Sequence, residues 1–162
     1  MGAEYCYQLA KQGFSLVLVS RTREKLEKVK NIVLLINPKV SVRIVVADFS
    51  GNANPEFYKS LLNNIEQGGP LDIGLWVINA GTMVGGDFNR VDIKNTKNML
   101  DVNIYQYAVL AHYAQKQLAK RPQKGGLLLV GSGAGWNYFV GTCVYSATKA
   151  FVLYLLEGLA AE

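Results

Sequence analysis

Tyr145 and Lys149 lie four residues apart in the run Tyr145-Ser-Ala-Thr-Lys149. On a helix that spacing puts a phenol and an ammonium on one face, about one turn apart. A cation held beside a phenol favours the phenolate. It thereby draws a group that ordinarily titrates at about 10 toward acid/base work nearer neutrality. Such pairs arise by chance on many helices, so the weight of this one comes from its surroundings. Ser132 sits in Gly131-Ser132-Gly133-Ala134-Gly135, directly after the apolar run Leu127 to Val130. A hydroxyl at the end of a buried strand can meet a substrate carbonyl oxygen. The glycines taken alone describe no more than a flexible strand-to-helix turn.

The elements that must carry these groups alternate along the chain. Helix is expected over about 3–12, then an apolar strand over Phe14 to Val19, and an amphipathic helix from Thr22, a plausible N-cap, to about Ile36. A strand over Val40 to Ala47 and a helix over Pro55 to Gln67 follow, the latter closed by Gly68-Gly69-Pro70. Next come a strand over Ile73 to Asn79, a glycine-containing loop over Gly81 to Val91, and a long helix over roughly Asn95 to Lys120, stopped before Pro122. Leu127 to Val130 reads as a fully buried strand, and the last helix runs from about Cys143 to the end. That helix is apolar nearly all round and should be buried against sheet or partner. Alternating strands and helices predict a parallel sheet covered by helices. No repeat or linker marks a boundary, so one domain over 1–162 is the simplest account. In an open parallel sheet ligands bind outside the carboxyl ends of strands, where both Ser132 and Asn79-Ala80-Gly81 fall.

Taken together, Asn79-Ala80-Gly81, Asn103 within Leu100-Asp-Val-Asn-Ile104, Ser132 and Tyr145-x-x-x-Lys149 resemble the short-chain dehydrogenase/reductase family over essentially the whole chain. Each motif is modest, but four in this order and spacing are specific. The resemblance implies an α/β, Rossmann-type doubly wound parallel sheet with helices on both faces. It implies an enzyme that transfers hydride between a nicotinamide cofactor and a carbonyl or alcohol. Tyr145 would donate the proton, and Ser132 would polarise the carbonyl oxygen. Lys149 would lower the tyrosine's pKa and hold the nicotinamide ribose, and Asn103 would bind a water in a proton relay. Asp48, in Ala47-Asp48-Phe49, matches the position that contacts adenine. At the end of the first strand an Asp or Glu would grip the 2′-hydroxyl of NAD; Ser20-Arg21 stands there instead, and a guanidinium suits the extra phosphate of NADP. NADP is therefore expected over NAD. Leu16-Val-Leu-Val-Ser-Arg-Thr22 and Tyr145-Ser-Ala-Thr-Lys-Ala-Phe151 look most like the hydroxysteroid dehydrogenase and very-long-chain ketoacyl-CoA reductase branch.

The match also has edges. Gly2, in Met1-Gly2-Ala3, corresponds to the last glycine of the family's phosphate loop, so the first strand and earlier glycines are expected to be missing, as are the C-terminal strands and the substrate lid. The absent strand would be a central one, leaving its neighbours without partners. This predicts feeble activity from the 162-residue chain alone, and it supports a rival reading: a catalytically silent binding or scaffold derivative.

Composition narrows the remainder. Half of the residues are hydrophobic, enough to bury a core. The longest apolar runs fall short of the roughly 20 residues that cross a bilayer, and no leader pattern opens the chain, so it reads as soluble, without a transmembrane segment. Cys6 and Cys143 are too few for a disulfide framework and lack metal-ligand spacing. They read as small buried fillers in an intracellular protein, cytoplasmic or on the cytosolic face of the endoplasmic reticulum. The single histidine, His112, cannot build a metal site. The net charge of +5 is scattered, and its densest run, Arg21 to Lys30, interleaves acids as a solvated helix face does, so no nucleic-acid partner is expected. The family likeness implies a homo-oligomer through helices 95–120 and 143–162.

Overall fold

The computed structural model describes residues 1–161. In chain order its elements are α1 (Gly2–Lys11), β1 (Leu16–Ser20), α2 (Arg23–Ile36), β2 (Val42–Val46), α3 (Pro55–Ile65), β3 (Leu75–Ile78), α4 (Ile93–Leu100), a π-helical segment (Asp101–Tyr105), α5 (Gln106–Leu118), β4 (Gly126–Leu129), a 3-10 turn (Gly133–Gly135) and α6 (Cys143–Ala161). Every expected helix and strand is present, with ends displaced by a few residues. Glu162, assigned to the last helix from sequence, lies outside the described residues.

The described residues pack as two compact units, each with its own two-stranded parallel ladder. The first comprises residues 1–48 and 54–70. In it β1 pairs β2 in register from Leu16 with Val42 to Ser20 with Val46. Ala10, Val33 and Val40 are buried together, with Cys6, Tyr7, Leu16, Val29, Ile36 and Val42 packed against them. This joins α1, α2 and both strands through one apolar cluster. The charged face of α2 is solvated as its pattern requires: Arg23 and Glu27 form a loose pair at 3.9 Å, both exposed. Thr22 occupies the N-cap position of α2 but its side chain makes no capping bond. Asn54 does cap α3, its Oδ1 accepting from the Phe57 amide at 2.8 Å, with Pro55 in the first turn.

The second unit comprises residues 49–53 and 71–161 of the described chain. Here β3 pairs β4 from Leu75 with Gly126 to Ile78 with Leu129. Trp76 Nε1 donates to Gln117 Oε1 at 3.0 Å, so α5 covers the ladder face that bears Trp76, Ile78, Leu127 and Leu129. Leu128 projects from the other face and is 37% exposed, so β4 is not the fully buried strand expected. The long helix starts two residues earlier than its apolar pattern suggests, because Asp92 caps it, its Oδ1 accepting from the Lys94 amide.

Two further expectations change. Only Ser146, Thr148, Lys149 and Val152 of α6 are buried; Tyr154 is 76% exposed, so the apolar second half of this helix is largely open. By length and composition alone α6 is also long and apolar enough to cross a membrane. Ser146, Thr148 and Lys149, however, are turned into the unit, as in a helix whose first half serves a core. Cys6 is partly buried, its Sγ donating to the Gly2 carbonyl at 3.2 Å, but Cys143 is exposed and is no core filler.

Candidate active site

The second unit gathers Asn79, Ala80, Gly81, Asn103, Ser132, Tyr145 and Lys149. β3 and β4 run parallel and end together, so Asn79 and Val130 leave the ladder at the same edge, with the Val130 amide donating to Ile78 O at 2.9 Å. The chain then turns at Ser132, whose Oγ accepts from the Ala134 amide at 3.2 Å and so caps the 3-10 turn. The turn packs on α6 so closely that a Cβ on Gly135 would lie 2.7 Å from the Lys149 carbonyl oxygen. A glycine is required there, and the stretch that reads as a flexible turn is in fact a close-packed one. The Ser132 hydroxyl hydrogen has no acceptor among the described residues.

Lys149 is only 3% exposed. Its Nζ donates to the Val130 carbonyl at 3.1 Å and lies 5.9 Å from the ring centroid of Tyr145, one turn back on α6. Burial lowers its pKa from the ordinary lysine value, because desolvation disfavours the charged form. Tyr145 is half-buried, and among the described residues no group engages its hydroxyl.

Asn103 is fully buried in the middle of the π-helical segment. Its Oδ1 accepts from the Thr82 amide at 2.9 Å, while Nδ2 donates to Thr82 O at 2.8 Å and to Thr148 Oγ1 at 3.1 Å. Both Nδ2 hydrogens are thus used on the loop after β3 and on α6, while Oδ1 keeps a second lone pair, so the side chain holds two elements together. The π turn shifts the helix register by one residue at this point, a common device at functional sites that apolar periodicity does not reveal. Asp101 secures the same segment, its carboxylate accepting from the Gly51 amide at 3.0 Å and from Lys97 Nζ at 2.7 Å.

Tyr107 is a residue the motifs do not flag. It is completely buried, donates its hydroxyl to Val130 O at 3.0 Å, and sets its ring 5.2 Å from Lys149 Nζ. Burial first, and the nearby Tyr145 second, push its pKa far up, so it stays a neutral donor. Its one signal in the sequence is its position four residues after Asn103, on the face that carries Asn103 into the core.

Gly2, Ser20, Arg21 and Asp48 belong to the first unit. Ser20 closes β1, and its carbonyl accepts from the Ala47 amide at 3.1 Å, so Ser20-Arg21 and Asp48 share the carboxyl ends of β1 and β2. Arg21 and Asp48 are exposed, and Gly2 begins α1.

The residues of the second unit fit a nicotinamide dinucleotide. Asn79 Oδ1 is buried without a hydrogen-bond partner, and a Cβ on Gly81 would fill space 3.5 Å from both Lys149 Nζ and Asn103 Oδ1. No cluster of metal ligands occurs among the described residues.

A doubly wound fold with strand-end Ser, Tyr and Lys defines a class of nucleotide-dependent enzymes, and the family profile of the short chain dehydrogenases matches residues 1–162. The chain belongs to that family. Over its full length it is 34% identical to a very-long-chain 3-oxoacyl-CoA reductase of Caenorhabditis elegans and 28% identical to a 7beta-hydroxysteroid dehydrogenase of Clostridium sardiniense. It covers 51% and 59% of those proteins, so the chain spans little more than half the length of these curated relatives. Among solved structures, a short-chain dehydrogenase from Sphingobium yanoikuyae in complex with NADPH superposes with a TM-score of 0.85 at 26% identity, over 98% of this chain and 59% of that one. The bulky-bulky ketone specific alcohol dehydrogenase of Comamonas testosteroni gives the same TM-score and identity, with 61% of its chain covered.

Proposed function

We propose that the protein is an NADP-dependent oxidoreductase that interconverts a ketone and a secondary alcohol on a lipid-like substrate such as a 3-ketoacyl-CoA or a steroid. One observation carries this reading. A buried lysine ammonium stands beside a half-buried tyrosine whose hydroxyl no group among the described residues engages. A scaffold has no use for such a pairing of phenol and buried ammonium. In reduction the Tyr145 hydroxyl gives its proton to the carbonyl oxygen, and in oxidation the phenolate takes it back. Ser132 directs its unused O–H at the same oxygen as negative charge builds there. Lys149, one turn from Tyr145 on the same helix, would hold the nicotinamide ribose. The dinucleotide, when bound, would supply the hydride; Asn79, Ala80, Gly81, Tyr145 and Lys149 are the residues proposed for its nicotinamide end, and Gly2, Ser20, Arg21 and Asp48 those proposed for its phosphates and adenosine.

The relatives named as ketoacyl-CoA reductase and hydroxysteroid dehydrogenase support the substrate class, the NADPH-bound neighbour and Arg21 support NADP, and the exposed apolar half of α6 supports a homo-oligomer. An intracellular site, in the cytoplasm or at the cytosolic face of the endoplasmic reticulum, accords with both cysteines being free.

The test is NADPH consumption with ketoacyl-CoA and steroid ketones, wild type against Tyr145→Phe. The variant should lose roughly 10²–10⁴-fold in kcat while NADPH binding, read by fluorescence titration, is kept. Equal turnover by the two proteins would remove Tyr145 from the chemistry. Absence of saturable NADPH binding would favour a silent scaffold.

A further inference from the structure

We propose that Tyr107 is a positioning residue for the Lys149 ammonium: its ring face carries the cation, and its hydroxyl fixes the backbone carbonyl that the cation grips. The importance of this for turnover rests on the proposed function; the placement itself does not.

Val130 O is the meeting point. It accepts from Tyr107 Oη at 3.0 Å and from Lys149 Nζ at 3.1 Å, which uses both lone pairs of one carbonyl. The same residue is tied through its amide to Ile78 O and stands two residues before Ser132. Tyr107 on α5 therefore couples the end of β4, which leads to the strand-end hydroxyl, to the lysine on α6.

Burial makes the cation's surroundings decisive. Lys149 is 3% exposed, and among the described residues no carboxylate pairs with it. An ammonium without a counter-ion in such a site needs other stabilisation, and an aromatic face within about 6 Å provides it. Tyr107 presents its ring at 5.2 Å, nearer than the 5.9 Å of Tyr145. The other elements packed on α6 offer less. Asp101 of the π-helical segment is engaged by Gly51 and Lys97, Asn103 there carries no charge, α4 carries the cations Lys94 and Lys97, and the turn Gly133–Gly135 carries no charge. The raised pKa of Tyr107 agrees with this role: Tyr107 keeps its proton and holds the carbonyl.

The experiment is an NMR titration of the Lys149 side chain in wild type, Tyr107→Leu and Tyr107→Phe, alongside NADPH-dependent ketone turnover. Removing the ring should lower the Lys149 pKa by about half a unit or more, whereas Tyr107→Phe should stay within about 0.3 unit. Tyr107→Phe should instead reduce kcat by about 3- to 10-fold with KM unchanged, since the carbonyl loses its second donor. An unshifted Lys149 titration in Tyr107→Leu overturns the proposal. Should that variant not fold, trifluorophenylalanine at position 107 preserves the shape of a ring and cancels its negative face, and it must give the same downward shift. Lys149→Met separates the two ideas: full turnover by that variant defeats the proposed function while leaving the Tyr107 titration result standing.

Discussion

Two tyrosine rings flank the Lys149 ammonium, and burial assigns them different work. Tyr107 is sealed in and bonded to a carbonyl; Tyr145 is half-buried, and among the described residues nothing engages its hydroxyl. The lysine between them has a pKa depressed by desolvation, and this has a consequence for stability. A folded pKa below the unfolded one means the unfolded chain binds the proton more tightly. Stability due to this residue is therefore lowest below its folded pKa and rises with pH until the ordinary lysine value is passed. Tyr107 contributes in the opposite sense, but only above the ordinary tyrosine range, where the unfolded chain ionises first. Lys149→Met, uncharged throughout, isolates the lysine. In urea denaturation across neutral to alkaline pH, the stability of wild type relative to the variant should climb as pH rises. A difference independent of pH would show that burial does not depress this lysine.

The turn and helices that position these groups depend on close approach. Gly135 lets the turn Gly133–Gly135 lie directly on the backbone of α6 at Lys149, and there is no side-chain slack to absorb a methyl group. Gly135→Ala should therefore destabilise the fold by about 1–3 kcal/mol and disturb the lysine it presses on. Gly133→Ala is the control, since a Cβ there meets nothing within 4 Å. Chemical denaturation of the pair checks this, and equal midpoints would show that the turn yields cheaply. The π-helical segment works in a similar way, using one extra residue in the helix to aim Asn103 at both Thr82 and Thr148.

The candidate residues fall in two packing units, Ser132, Tyr145 and Lys149 in one and the Ser20-Arg21 and Asp48 strand ends in the other. Arg21 is exposed at the end of β1, where a guanidinium can meet a phosphate without first breaking a buried bond. Arg21→Ala should weaken NADPH binding at least about tenfold, the loss of one charge-assisted contact, and leave NADH binding nearly unchanged. Fluorescence titration with both nucleotides checks this, and equal weakening of the two would assign Arg21 to a part of the cofactor they share.

Much of this was legible in the residues themselves. Apolar runs and glycine or proline breaks located the strands and helices, because backbone preference and amphipathic period are local properties. Tyr145, Lys149, Ser132 and Asn103 stood out because their order and spacing match a family pattern. Other features needed three dimensions. Nothing near Leu128 in sequence says which ladder face α5 covers, and nothing near Cys143 or Tyr154 says that α6 leaves them open. The π turn follows from bonds that Asn103 makes to residues 21 and 45 positions away. Tyr107 acquires its meaning only because α5, β4 and α6 converge on one carbonyl oxygen. Contacts between groups distant along the chain are decided by how whole elements pack, and local pattern carries no record of them.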